Sequence, residues 1–206
     1  MKAGIGVRIH LIRGMSNSYL VDDGTLIDAG AKPAAVLAKA REAGINIKAI
    51  IITHYHVDHV RYARDLKRET GAEVIAPALD ADVIRGKARP RAPNPLVAAF
   101  MALAKAPGVD VDREVMDGEE IMGYRAIHMP GHTPGSTAYL KEDALFSGDA
   151  VVERGGGAAL PPKMFSLDIN EARRSLAKLA GLGISTIYPG HGDPFPAASL
   201  SKLIVK

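Results

Sequence analysis

The sequence predicts an α+β fold in which two similar β-rich halves lay their sheets face to face, with helices outside. Two observations carry this expectation. A weak internal repeat divides the chain: hairpin, Asp28, helix, strand and His54 in the first half are matched by hairpin, Asp149, helix, strand and His191 in the second. Short apolar runs of strand character also alternate with helical patterns, and histidines and aspartates follow the strands, the usual place for a site in sheet-and-helix folds. The 206 residues, 47% hydrophobic and 24% charged, suit one domain spanning 1–206 with a substantial core.

The elements follow in order. Val7 to Ile12 reads as a strand, turned by Gly14. Ser18–Val21 and Thr25–Ile27 flank Asp22-Asp23-Gly24, and Asp-Gly between apolar runs signals a hairpin. Pro33 to Ala43 has a helix start, apolar residues at Val36, Leu37 and Ala40, and a closing Gly44. Ile47 to Ile52, apolar but for Lys48, is a run of buried-strand type that leads into Thr53. Val60 to Thr70 sets Val60, Ala63 and Leu66 along one stripe among charges, an amphipathic helix ended near Gly71. Glu73 to Ala76 is the next strand.

Leu79 to Val111 breaks the pattern and reads as an inserted helical and loop segment. Pro90, Pro93 and Pro95 exclude regular structure across Lys87 to Pro95. Leu96 to Ala104 is almost wholly apolar and must bury somewhere; it reads as a core helix, as a lid over a substrate pocket, or as a contact in a homo-oligomer. Short strands resume at Arg113–Met116 and Tyr124–Met129, then a hairpin of Ser136–Leu140 and Ala144–Phe146. Glu153 to Met164, with three glycines and Pro161-Pro162, reads as loose. Asp168 can cap a helix running to Leu182, with Ala172, Leu176 and Leu179 on one face. Ser185–Tyr188 is a last strand, ending at Pro189-Gly190-His191-Gly192.

Composition narrows the chemistry. With no cysteine, disulfides and thiolate ligands are excluded, so a metal must use His, Asp and Glu. Gln is absent and Asn rare beside abundant Arg, Lys, Glu and Pro, a bias expected of a heat-adapted source. The net charge of +3 does not demand a nucleic-acid partner, and none is expected. No apolar run approaches the roughly 18 residues of a membrane span. Met1 to Val7 lacks the apolar stretch of a secretory leader, so a cytoplasmic protein off the membrane is expected.

Within Thr53 to His59, three imidazoles and a carboxylate (His54, His56, Asp58 and His59) crowd together. Each would need its own partner if buried for folding alone, and both groups are ligand types for Zn²⁺-like cations. His132, Asp149 and His191 stand in later loops after strands, each beside glycine. Seven ligand-type side chains exceed one tetrahedral zinc; two metals sharing a carboxylate would use them all.

Taken together, His54-x-His56-x-Asp58-His59, Gly131-His132-Thr133-Pro134-Gly135, Gly148-Asp149 and Gly190-His191-Gly192 resemble the metallo-β-lactamase-fold hydrolase superfamily, over nearly the whole chain from about Ile9 to Pro194. The resemblance implies a four-layer αββα sandwich of two pseudo-symmetric halves. It implies a first metal on His54, His56 and His132, a second on Asp58, His59 and His191, and Asp149 bridging both. Zinc is the expected metal, although such donor sets also accept Fe or Mn. Two cations about 3.5–4 Å apart would share a water and make a bridging hydroxide available near neutral pH. Asp58 would also be catalytic, its free oxygen orienting that hydroxide or shuttling a proton.

Other residues read more plainly. Asp28 is expected to support the site rather than to ligate, His10 and His128 to be satisfied structural histidines, and Thr53 and Thr133 to hydrogen-bond behind the ligands. Tyr55 and Tyr188 read as packing residues, and Arg154 and Lys163 as solvated. Tyr124 is likewise read as a surface residue rather than an anion-binding group. Departures from the family pattern shape the rest. Val60-Arg61-Tyr62 stand where a glycine is common, which would alter the pocket floor or bring Arg61 near the site. Asp149 stands where the best-known zinc β-lactamases have cysteine, so β-lactam hydrolysis is not expected. Only Pro194 to Lys206 follow the last histidine, so the helical glutathione-binding domain of typical glyoxalase II enzymes is not expected either.

The expected activity is dinuclear, metal-dependent hydrolysis of a small thioester, ester or lactone, as in short glyoxalase-II-like proteins. A phosphodiesterase, a mononuclear-iron persulfide dioxygenase and a non-catalytic metal-binding protein are the alternatives. Substrate-binding residues are unassigned; that choice belongs to Leu79 to Val111 and Glu153 to Met164.

Overall fold

A computed structural model describes residues 7–204, so the reading of Met1 to Val7 lies outside the described residues except at Val7. The first sheet runs in chain order through β1 (Ile9–Ile12), β2 (Ser18–Val21), β3 (Thr25–Ile27), β4 (Ala49–Ile51), β5 (Glu73–Pro77) and β6 (Arg113–Val115). The second sheet uses β7 (Glu120–Ile121), β8 (Tyr124–His128), β9 (Thr137–Lys141) and β10 (Ala144–Gly148). A separate ribbon of β11 (Val152–Arg154) and β12 (Gly157–Ala159) intervenes before β13 (Thr186–Pro189) and β14 (Phe195–Pro196) complete the second sheet. Its spatial order is β14-β13-β10-β9-β8-β7. The helices are α1 (Pro33–Ala43), α2 (Val57–Val60), α3 (Ala63–Thr70), α4 (Ala81–Ile84), α5 (Pro95–Leu103) and α6 (Ile169–Ser175).

The strands are apolar on both faces because both faces are covered. Alternation sorts them: Tyr19, Val21, Ile27 and Ile51 meet Tyr124, Ala126, Tyr139 and Phe146 between the sheets. Their neighbours Leu20, Leu26 and Ile50 turn outward onto Val36 and Ala40 of α1 and Leu66 of α3. On the far side, Ile127, Leu145 and Ile187 pack with Leu176 and Leu179. The result is the αββα layering. Its two halves correspond: β3 pairs in parallel with β4, Leu26 opposite Ile50, and β10 pairs in parallel with β13, Leu145 opposite Ile187. Parallel pairing needs a crossover, which α1 and α6 supply.

The structure corrects several element readings. The helix expected from Val60 to Thr70 is two, broken at Arg61-Tyr62, and its first turn takes in Asp58 and His59. The break follows from competition for backbone groups: Ala29 N donates to His59 O, and Tyr62 N donates to Ala29 O. Arg61 lies over the Tyr62 ring, 5.9 Å from its centroid. The segment read as loose contains the β11–β12 ribbon, turned through left-handed Gly155 and Gly156. The last helix gives way at Leu176 to a 3₁₀ turn that ends at Leu179. Tyr124, read as a surface residue, is fully buried between the sheets.

α5 is not a core helix. Val97 is buried, but Leu96, Phe100 and Leu103 are 73%, 56% and 89% exposed. Asn94 caps the helix by accepting from Val97 N, and its Nδ2 donates to Met164 O at 3.3 Å. Tyr55 OH donates to Arg91 O at 2.8 Å and holds the proline-rich approach. Among the described residues no helix is long and apolar enough to cross a membrane.

Candidate metal centre

Every residue singled out for ligation lies just after a strand or in the helical turn that follows one. β4 leads to His54 and His56, and α2 carries Asp58 and His59. β8, β10 and β13 lead to His132, Asp149 and His191. Two close approaches bring the halves together. Gly148 sits at φ +50 with Thr53 Oγ1 2.5 Å from where a Cβ would be. Gly190 would place a Cβ 2.3 Å from Asp149 Oδ1 and 2.5 Å from His59 Cε1. No side chain fits at either position.

All seven side chains converge. Three groups have donor atoms mutually within 4.8 Å: His54 with His56 and His132; His54 with His59 and Asp149; and Asp58 with His59 and His191. His54 Nε2 is 3.1 Å from His56 Nδ1. Asp149 spans the groups, Oδ1 at 3.4 Å from His59 Nε2 and Oδ2 at 3.6 Å and 3.7 Å from the Nε2 atoms of His132 and His191. His191 Nε2 is 2.9 Å from Asp58 Oδ2. His54, His59 and His132 are buried, whereas the side chains of Asp58 and His191 are 26% and 45% exposed, so the centre opens on that side.

Hydrogen bonds behind the rings decide which nitrogen faces inward. His59 Nδ1–H donates to the Asp28 carboxylate at 2.7 Å, which turns Nε2 toward the centre. The Thr53 hydroxyl gives its hydrogen to Asp28, which can only accept, and so takes the Nδ1–H of His54 at 3.0 Å. The Ser166 hydroxyl donates to Pro162 O and takes the Nδ1–H of His132 at 3.2 Å. Three buried imidazoles thus present Nε2 to the centre, the arrangement metal-binding histidines adopt. Asp28 fills the expected supporting role and adopts left-handed φ of 58°, a strained backbone for a non-glycine residue.

Electrostatics agree. Burial, helped by neighbouring imidazoles, holds His54 well below its usual pKa, lowers His132, and brings His56 to about 3, so this trio is neutral. Burial opposes the charge on Asp58 and Asp149, but the adjacent histidines outweigh it and keep both carboxylates ionised. Burial likewise opposes a proton on His59, yet Asp28, Asp58 and Asp149 raise it well above the usual range, so without a cation Nε2 keeps a proton that a bound metal would displace. Neutral imidazoles beside ionised carboxylates are a donor set for cations. His59 Nε2, His132 Nε2 and Asp149 Oδ1 are buried with no hydrogen-bond partner among the described residues. Burying such atoms unpartnered is costly, and two metal ions would satisfy all three.

The remaining candidates divide. His128 is satisfied, with Nε2 2.7 Å from Pro134 O. His10, expected to be satisfied too, has a buried Nε2 without a partner among the described residues, on edge strand β1. Tyr188 packs against Tyr19 and Phe146, with ring centroids 5.4 and 5.2 Å away. Arg154 and Lys163 are exposed. Sequence reasoning missed Ser166 and Asp80. Asp80 is fully buried and accepts from Tyr55 N, Thr133 Oγ1 and Gly135 N. Burial pushes its carboxyl up to about 6 against these hydrogen bonds.

Comparison with known proteins fits this geometry. The family model described as the metallo-beta-lactamase superfamily matches residues 11–191. Among relatives, the probable metallo-hydrolase YflN of Bacillus subtilis is 30% identical over 198 residues, covering 82% of this chain and 75% of its own length. A hydroxyacylglutathione hydrolase of Methylobacillus flagellatus is 31% identical over 184 residues, 89% of this chain but only 61% of that relative. The crystal structure of TTHA1623 in a di-iron-bound form superimposes with a TM-score of 0.77 at 28% identity, over 96% of this chain and 98% of that one. With its histidines and aspartates gathered at one edge of the sandwich and a family match across almost its full length, the chain belongs to the metallo-beta-lactamase superfamily, as a metal-dependent hydrolase.

Proposed function

We propose that the chain is a two-metal hydrolase of small thioesters, esters or lactones. One metal would be held by His54, His56 and His132, the other by Asp58, His59 and His191, with Asp149 between them. The observation that carries this reading is the set of three buried, unpartnered atoms, His59 Nε2, His132 Nε2 and Asp149 Oδ1, facing one centre from both halves. Bound, two such cations supply a hydroxide nucleophile near neutral pH and a Lewis acid for the substrate's carbonyl oxygen. Asp58 sits at the exposed side, where its carboxylate can orient the attacking water and pass its proton outward. Asp28, Thr53 and Ser166 keep the imidazole lone pairs directed inward. Hydroxyacylglutathione hydrolases among the relatives favour a thioester, although the chain spans about 61% of the first of them.

The test is elemental analysis with a hydrolysis panel of thioesters (a hydroxyacylglutathione included), lactones and phosphodiesters. Two metals per chain and thioester or lactone turnover are expected, and Asp58→Ala should lower kcat about 10²- to 10⁴-fold. One iron per chain with oxygen consumption, or undiminished turnover in Asp58→Ala, overturns the reading.

A further inference from the structure

Asp80 is placed where an aspartate usually caps a helix, directly before α4, yet its side chain makes no cap hydrogen bond. The carboxylate turns instead into the protein and has no exposed surface. There Oδ2 accepts from Tyr55 N at 3.0 Å and from the Thr133 hydroxyl at 2.7 Å, while Oδ1 accepts from Gly135 N at 2.7 Å. Tyr55 stands between His54 and His56, and Thr133 follows His132. Gly135 completes the fit, since a Cβ there would lie 2.6 Å from Asp80 Cγ. A buried carboxylate is costly unless its lone pairs are met, and these three donors all come from two loops that carry metal-centre histidines.

We infer that Asp80 is a positioning residue for one half of the centre: it ties the His54–His56 loop to the His132 loop and so sets that trio's spacing. It makes no hydrogen bond to Asp58, His59 or His191, whose loops are held otherwise. Asp28 pairs with His59 Nδ1 and Thr53 N, and Asn17 N donates to Gly190 O. Asp80 therefore acts on the first metal position and leaves the second alone. The inference rests on the two-metal reading above.

The experiment is Zn²⁺ titration of metal-stripped protein against a competing chelator. Wild type should take two Zn²⁺ per chain. Asp80→Asn gives the three donors one acceptor oxygen fewer, and should weaken one site about 10- to 100-fold while sparing the other. In a His191→Ala background, the tight site that remains should be the one Asp80→Asn weakens. Thr133→Val removes one of the three bonds with little change of shape. It should weaken the same site less, and the Asp80→Asn/Thr133→Val double variant should be no worse than Asp80→Asn. Leu66→Ala, a core truncation in the same half, should lower the melting temperature and leave both affinities unchanged. Wild-type affinities in Asp80→Asn, an equal loss at both sites, or a matching loss in Leu66→Ala overturns the inference. If Asp80→Asn does not fold, unchanged affinities in Thr133→Val do so. A wild type lacking two Zn²⁺ sites overturns the proposed function instead.

Discussion

At Ser166 a hydroxyl passes its hydrogen to Pro162 O and takes that of His132 Nδ1, so a residue that touches no metal decides which nitrogen of the ring faces the centre. Ser166→Ala should therefore weaken metal binding about 10- to 100-fold, and Ser166→Thr should restore part of it; titration of the two variants checks both. Gly190→Ala is expected to be harsher, because its methyl would meet Asp149 Oδ1 and His59 Cε1 at 2.3 and 2.5 Å. Loss of bound metal with the circular dichroism of the fold retained is the expected outcome. The ligand-type residues were legible because crowded imidazoles and carboxylates have few purely structural explanations. Ser166 and Asp80 were not. A serine between Phe165 and Leu167, and an aspartate ahead of a short helix, look in sequence like any loop and any cap, and only the fold sets them behind His132 and Tyr55.

Among the elements, α5 departs most from expectation. Its run of apolar residues suggested burial, but Val97 is its one fully buried residue, with Met101 packed partly buried against the first core. Leu96→Ser and Phe100→Ser should each change stability by about 0.5 kcal/mol or less, as exposed sites do, against about 2–5 kcal/mol for truncation of a core position; thermal melts decide. The loop between β1 and β2 does the opposite, looking inert in sequence yet gripping the His191 loop. Arg13 donates to Gly192 O and pairs with Asp193, while Asn17 Nδ2 donates to Pro189 O and Gly192 O. The strands, α1 and its Gly44 stop were legible because apolar spacing and turn residues are local signals. The break at Tyr62 was not, since its cause is pairing with Ala29, far off in sequence.

Over the whole molecule, the internal repeat foretold that two β-rich halves would face each other, but not where they are fastened. One fastening is Asp23, at the β2–β3 turn. It receives hydrogen bonds from Lys141 and Tyr124 of the second sheet, the latter at 3.1 Å. Burial opposes its charge, but the Lys141 and Thr25 hydrogen bonds outweigh burial and hold its carboxyl below the usual carboxylate range. A carboxyl lowered in the folded state contributes stability that is present above the unfolded pKa and lost as pH falls through the folded one. Wild type should therefore lose, below about pH 4, about 1 kcal/mol of stability that Asp23→Asn never has; denaturant melts of both proteins across pH 2.5–6 would show the curves converging in acid.

The centre's place on the seam between the halves has one more consequence. In the proposed ligation each cation draws on both: His54 and His56 with His132, and Asp58 and His59 with His191. A bound ion then works as a removable cross-link in a chain that has no cysteine for a permanent one. Free metal at a hundredfold excess over its Kd would add about 2.7 kcal/mol to the folded state. Chelation should lower the melting temperature and speed hydrogen exchange along the facing strands first. Metal supply would then govern how long each molecule survives, as well as whether it turns over substrate.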